Sequence, residues 1–211
     1  MKIIKRIFLV ILSLTFLSAF ALGMTVLYAQ NADWGFARSV SPEEQQLRLQ
    51  IVAHADSWLG TPEGSNEHAN ILDIYNNHTP LAQGYLVKSS DDWCATFASC
   101  VAIQCGYADI IPTECGCQRQ IGLWQELGCW EENDNYIPLP GDYIYYAWGE
   151  DFNFDDCTGW ADHVGIVIGT AGPFIKVIEG NKDDCVTYRI ILRGNYQIRG
   201  YGLPDYASKI H

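Results

Sequence analysis

Basic residues are scarce in this chain: 13 Lys and Arg stand against 25 Asp and Glu, for a formal net charge of −12. Lys2, Lys5 and Arg6 account for three of the 13, so from residue 30 onward ten basic residues face all 25 acidic ones, a charge near −15. Such a body excludes nucleic acid as a partner, because binding a polyphosphate needs a basic surface that displaces counterions, and it disfavours tight adsorption to anionic lipid. An acidic polymer would have to be held by a local groove. The chain also lacks internal repeats, low-complexity tracts and any linker that would set off a second domain. Cofactor signals are meagre. In Asp151–Asp156, carboxylates alternate with Asn153 in the manner of a weak Ca²⁺ loop, but the central Gly and late Glu of an EF-hand are missing. Cys115-Gly116-Cys117 is neither a redox Cys-x-x-Cys nor one half of a zinc site, since no second tight cysteine pair exists. No cofactor and no metal are therefore expected.

What is present begins with a hydrophobic run. Behind Lys2, Lys5 and Arg6, residues 7–29 are apolar apart from Ser13, Thr15, Ser18, Gly23 and Thr25, the layout of a secretory signal peptide. Leu27 fits a cleavage site poorly and the run is long enough to span a bilayer, so an N-terminal membrane anchor is the alternative. Either way the body is expected outside the cytoplasm, secreted or on the extracellular face of the envelope. Residues 30–40 read as a linker, and 41–211 as one domain large enough for a sizeable core. Eight cysteines, at 94, 100, 105, 115, 117, 129, 157 and 185, usually mean disulfides in an exported chain. If Cys94 is free, a second cysteine must be free within a monomer. Cys100, among Phe97, Val101 and Ile103, suits that role as a small core residue. Spacing does not fix the pairing of the other six.

Ser41-Pro42-Glu43-Glu44 reads as a helix start with a capping box, followed by an apolar stripe of Leu47, Ile51, Ala55, Trp58 and Leu59 up to Gly60. His54 falls on its flank. Residues 60–90 are irregular with a short helical piece over 70–75; His68 and His78 read as surface histidines, and Asn66, Asn76 and Tyr85 as borders of a groove. The stretch 91–106 reads as a buried helix with an Asp cap and Gly106 as its stop. A further helix is expected over 118–127. From Pro138 the pattern turns to strands: 143–148, 163–169, 174–179, 186–192 and 196–200. Helices followed by five short strands with brief connections indicate an α+β fold with an antiparallel sheet.

The chemistry-bearing residues cluster in these elements. Cys94 stands in the first turn of its helix, where free backbone N–H groups and the helix dipole favour a thiolate. His163 opens an apolar strand, Glu179 closes the next one, and Asn181 follows two residues later. If the two strands form a hairpin, antiparallel pairing sets the end of the second beside the start of the first, so that Glu179 can orient His163. Cys94 as nucleophile, His163 as base and Glu179 as orienting group are the parts of a covalent amide hydrolase.

Taken in order, Asp92-Trp93-Cys94-Ala95-Thr96-Phe97-Ala98-Ser99, Pro140-Gly141-Asp142-Tyr143-Ile144, Ala161-Asp162-His163-Val164-Gly165-Ile166-Val167, Val177-Ile178-Glu179-Gly180-Asn181 and Ile198-Arg199-Gly200-Tyr201-Gly202-Leu203-Pro204 resemble the CHAP family. These are cysteine/histidine-dependent amidohydrolases and peptidases that cut bacterial peptidoglycan, related to the NlpC/P60 hydrolases and built on a papain-like core. The resemblance spans nearly the whole body. It implies Cys94 as nucleophile, His163 as base, Glu179 as third catalytic residue and Asn181 as a supporting polar group, with Trp93 walling the groove and Asp92 and Asp162 beside the substrate. It implies a monomer that cleaves either the bond between muramic acid and L-alanine or a bond in the stem peptide or crossbridge. A higher cysteine content and the lack of a wall-binding repeat set this chain apart. The competing reading is a silent binding module, in which Cys94 would be tied in a disulfide to a neighbour from the 100–117 region.

Overall fold

The computed structural model describes Tyr28 and residues 32–133, 135–149 and 159–210. The expected signal or anchor, apart from Tyr28, and the acidic loop Asp151–Asp156 lie outside the described residues. Among the described residues no helix is long and apolar enough to cross a membrane. Trp34–His211 form one compact unit, and among its described residues the class is α+β: four α-helices and a six-stranded antiparallel sheet.

Helix α1 (Pro42–Asp56) starts as its sequence dictates, with the Ser41 hydroxyl accepting from the Glu44 N–H at 3.1 Å. The reciprocal half of the capping box does not form, because the Glu44 carboxylate accepts instead from Arg48 Nε at 2.7 Å. Arg48 is buried with Ile51 and Ala55, and Leu59, expected on the apolar stripe, is exposed beyond the helix end. Helix α2 (Asn66–Asn76) is longer than the short piece expected, since Ser65 caps it by accepting from the His68 N–H. Helix α3 (Cys94–Cys105) is buried nearly all round, ten of its twelve residues being buried, and Gly106 ends it at φ 71°, in the left-handed region that spares glycine a steric penalty. Helix α4 (Cys117–Glu126) begins one residue earlier than expected.

The strands are β1 (Trp130–Glu131), β2 (Tyr143–Tyr146), β3 (His163–Ala171), β4 (Phe174–Lys182), β5 (Cys185–Leu192) and β6 (Ile198–Gly202), arranged in the order β1-β6-β2-β3-β4-β5. Five were expected. The sixth, β1, is a two-residue pairing of Trp130 with Gly202 and Glu131 with Tyr201, too short to carry a period. Strand alternation splits the core. Tyr143, Tyr145, Val164, Ile166 and Ile178 face the helices, with Phe97, Val101 and Ile51 above them. Ile144, Tyr146, Val167, Val177 and Tyr201 form a second apolar layer on the other face. Within the expected linker, Gly35 pairs with Thr170, donating to its carbonyl at 3.2 Å and accepting at 3.0 Å, so this segment extends the sheet contacts at the end of β3. The seven described cysteines are all free thiols, and Cys100 is fully buried in the core; Cys157 lies outside the described residues.

Candidate active site

Helix α3 meets the sheet at its own first residue. Its N-cap is Trp93, which makes no side-chain capping bond. The expected Asp cap is used elsewhere: Asp91 accepts from the Lys88 N–H and the Tyr85 hydroxyl, and Asp92 accepts from Asn181 Nδ2 at 3.0 Å. Cys94 thus stands at an uncapped helix start, where free N–H groups and the helix dipole favour an anion. Close approach of the helix to the sheet depends on Gly180, where a Cβ would lie 2.5 Å from Phe97 Cβ and 2.9 Å from the Trp93 ring.

The β3–β4 hairpin pairs Ile166 with Ile178, and extending that register sets Gly165 opposite Glu179. A Cβ at Gly165 would meet Glu179 Cγ at 2.7 Å, so the glycine makes the room into which the carboxylate stem packs. Glu179 then reaches diagonally to His163, Nε2 to Oε2 at 3.0 Å. Arg189 on β5 holds the carboxylate from the other side, its Nε donating to Oε1 at 2.7 Å and Oε2 at 3.0 Å. By alternation Tyr146, His163, Glu179 and Arg189 form a row across four adjacent strands on one face of the sheet. The Tyr146 ring stacks on His163 with centroids 5.9 Å apart and on Trp148 at 4.6 Å, and the Arg189 guanidinium covers Trp148 at 4.6 Å.

With Nε2 engaged by Glu179, Nδ1 is the imidazole nitrogen left for Cys94, and the two groups are near enough for each to favour the charged form of the other. Cys94 is 4 % exposed. The Cys117 thiol lies 3.5 Å from its sulfur. That contact does most to lower the Cys94 pKa; burial opposes it, and the hydrogen bond and charge of His163 with the Val164 N–H complete the effect. Cys117 is pushed up by the same contact, by its burial and by the charge on Asp162. The two shifts describe one proton, carried by Cys117 and shared with a Cys94 thiolate. Burial pulls the His163 pKa down, but its interactions with Cys94 and Glu179 outweigh it and raise it to about 9. Burial also opposes the charge on Glu179, yet His163 and Arg189 hold it below the usual carboxylate range. The directions of these shifts favour a thiolate on Cys94 and an imidazolium on His163, with Glu179 and Arg189 as an ion pair beside them.

Cys94, His163 and Glu179 are thus brought together, while the other expected site residues are placed differently. Asn181 follows Glu179 on the same strand, but its φ of 55° turns it out of the ladder and onto Asp92, so it fastens the loop before α3 to β4 and does not touch the imidazole. Trp93 is fully buried, donating from Nε1 to Glu63 at 3.1 Å and packed on His68 at 4.5 Å; it lies under the site and does not wall an open groove. His68, expected at the surface, is 1 % exposed, and burial lowers its pKa. Asp162 accepts from the Trp148 N–H through both oxygens at 3.1 Å, fixing the turn into β3. Asp92 lines an open groove of about 450 Å³ with Tyr85, Asp91, Cys115 and Arg119. Asn76 clamps the groove loop by exchanging two hydrogen bonds with Val87, while Asn66 lies exposed at the start of α2. Arg189, Tyr146 and Cys117 escaped the sequence reading. A lone basic residue inside the apolar run of β5 and a second cysteine opening a helix were the available signals.

No protein-family model and no curated protein matches the chain. Among solved structures, the one described as the crystal structure of Ly7917 is similar, with a TM-score of 0.43 and 14 % identity over 74 % of this chain and 62 % of that chain. A likeness at that level carries no argument about function. The chain thus spans under two thirds of that protein's length.

Proposed function

We propose that this chain is a cysteine hydrolase with a papain-like core, resembling the CHAP and NlpC/P60 enzymes, that acts outside the cytoplasm as a monomer on amide bonds of bacterial peptidoglycan. The observation that carries the reading is the conjunction of an uncapped helix-start sulfur, an imidazole whose charge favours its thiolate, and a buried carboxylate 3.0 Å from that imidazole's Nε2.

The array accounts for each step. The Cys94 thiolate attacks the scissile carbonyl carbon, and the carbonyl oxygen becomes an oxyanion that backbone N–H groups at the start of α3 can receive. The imidazolium, held in orientation by Glu179, delivers its Nδ1 proton to the departing amine as the C–N bond breaks, leaving a thioester on Cys94. Neutral His163 next takes a proton from water, whose oxygen attacks the thioester. The acid product leaves and the thiolate–imidazolium pair is restored. Sulfur, imidazole and backbone amides supply every group the sequence of steps needs. The groove beside Asp92 is lined by Asp91 and Asp92 as well as Arg119, a mixed lining that suits a peptide bearing both amino and carboxylate groups.

The test is to digest purified peptidoglycan and to identify the products by mass spectrometry. New amino groups are expected from the native chain and none from Cys94→Ala or His163→Ala. Free lactyl-muramic ends would mark an amidase, cuts within the peptide an endopeptidase, and activity retained by both variants would remove the proposal. The second reading, a silent binding module, draws on the Cys117 contact, since a permanent Cys94–Cys117 disulfide would leave no nucleophile.

A further inference from the structure

The mechanism uses one sulfur, and the structure puts a second beside it without a catalytic task. Cys94 is the first residue of α3 and Cys117 the first residue of α4; neither helix has a side-chain cap, and the two starts converge so that the sulfurs lie 3.5 Å apart. The other described cysteines set their sulfurs against oxygens: Cys100 against Gln104, Cys105 against Gln50, Cys115 against Glu114, Cys129 against Leu127 and Cys185 against Val186. Only about 1.5 Å of closure separates the Cys94–Cys117 contact from a disulfide bond of about 2.05 Å. Both residues are buried, at 4 % and 7 % exposure, and Asp92 and Cys115, each two residues ahead of one of them in the chain, line an open groove.

We infer that Cys94 and Cys117 form a peroxide-responsive dithiol: a small peroxide oxidises Cys94, Cys117 captures the product as a disulfide, and the nucleophile is stored in a form that a thiol reductant recovers. In the first step the Cys94 thiolate attacks one peroxide oxygen. An S–O bond forms, the O–O bond breaks, and the departing hydroxide takes a proton from the His163 imidazolium to become water. Cys94 is now a sulfenic acid. In the second step the Cys117 sulfur, losing its proton, attacks the sulfenyl sulfur; an S–S bond forms, the S–O bond breaks, and hydroxide leaves with that proton as a second water. Two thiols lose two electrons and one peroxide gains them. The order is built into the geometry. Cys117 is held protonated chiefly by the neighbouring Cys94 thiolate, and converting that thiolate to a neutral sulfenic acid removes the charge that holds the proton. A dithiol reductant reverses the state by exchange at the S–S bond.

The dithiol stands on sulfur geometry alone, whereas the claim that it silences catalysis rests on the hydrolase reading. The experiment separates the two. The full chain, reduced and then freed of reductant, is treated with hydrogen peroxide, digested without reduction and examined by mass spectrometry, with peptidoglycan release measured in parallel. The expected result is a cross-link between the peptides bearing Cys94 and Cys117 as the main product, loss of release in step with it, and recovery of about nine-tenths of the starting activity with dithiothreitol. In Cys117→Ser, the same treatment is expected to drive Cys94 to sulfinic or sulfonic acid, with under about a tenth of that variant's own starting activity recovered. Overoxidised Cys94 without a cross-link in the native chain, or a cross-link to any other cysteine, would overturn the inference. So would a Cys94–Cys117 bond that persists in dithiothreitol. A reversible cross-link in a chain that never digests peptidoglycan would sustain the dithiol and sink the hydrolase.

Discussion

Two buried carboxylates, each fully inaccessible and each paired with an arginine, lie in different parts of this fold and serve opposite ends. Asp142, in the turn before β2, accepts from Arg48 at 2.7 Å through one oxygen and from the Tyr136 hydroxyl and the Leu139 N–H through the other. Arg48 in turn bonds Glu44 and the Pro140 carbonyl and lies 4.5 Å over the Tyr206 ring. Both Asp142 oxygens are engaged, and the cluster ties α1 to the turn before β2. Glu179 has the same kind of arginine partner but gives one oxygen to an imidazole, which passes the interaction on to a sulfur. The difference teaches that burial and pairing do not by themselves mark a reactive site. What marks it is a titratable chain that ends on a group with something left to do.

Breaking each cluster should therefore break a different property. The largest effect belongs to the Glu179 side: Cys94→Ala or His163→Ala should lower peptidoglycan release by at least about 10³-fold, roughly 4 kcal/mol of transition-state stabilisation, with the denaturation midpoint little changed. On the Asp142 side, Arg48→Ala leaves a buried carboxylate without its cation and should cost about 3–5 kcal/mol in urea unfolding, while the folded fraction alkylates at Cys94 as fast as the native chain. Glu179→Gln sharpens the contrast, because it keeps the shape and removes the charge. Release should fall by roughly 10²-fold, and the alkaline limb of the pH–rate profile should move down from its native position near 9, since the carboxylate helps to hold the His163 proton. The sign is fixed by the roles: the reaction needs a thiolate, present above the lowered Cys94 pKa, and an imidazolium, lost as pH rises through that of His163. The smallest effect is expected for Cys117→Ala, which removes the thiol donor to Cys94 and should shift the acid limb of alkylation toward higher pH.

The two clusters also differ in how legible they were. His163 and Glu179 could be matched from sequence because a short connection between two apolar strands dictates antiparallel pairing, and pairing brings those ends together. Arg189 was not matched, since its place beside Glu179 depends on a register shift between Glu179 and Lys182 that the two-residue Asp183-Asp184 turn does not disclose. Asn181 was misread because spacing on a strand does not disclose a left-handed backbone, and a φ of 55° turns the side chain to Asp92. Arg48 was hidden in the apolar stripe of α1, as periodicity assigns a charged residue to solvent unless its buried partner is known. Trp93 and His68 failed for a related reason: their burial follows from packing between α2 and the start of α3, which no local pattern reports. The α+β class and the strand-rich second half were readable because both rest on period and turn chemistry.

The central claim is that the sulfur of Cys94 is ionised and free while it faces His163, and thiol alkylation tests it most directly. The native chain, kept reduced, is treated briefly with iodoacetamide at about pH 6, where ordinary thiols are protonated, and the labelled residue is identified by mass spectrometry. Cys94 should be modified first, ahead of the more exposed Cys115, Cys129 and Cys185, and the advantage should shrink in His163→Ala and again in Cys117→Ala. Labelling of those exposed thiols with Cys94 untouched would contradict the account.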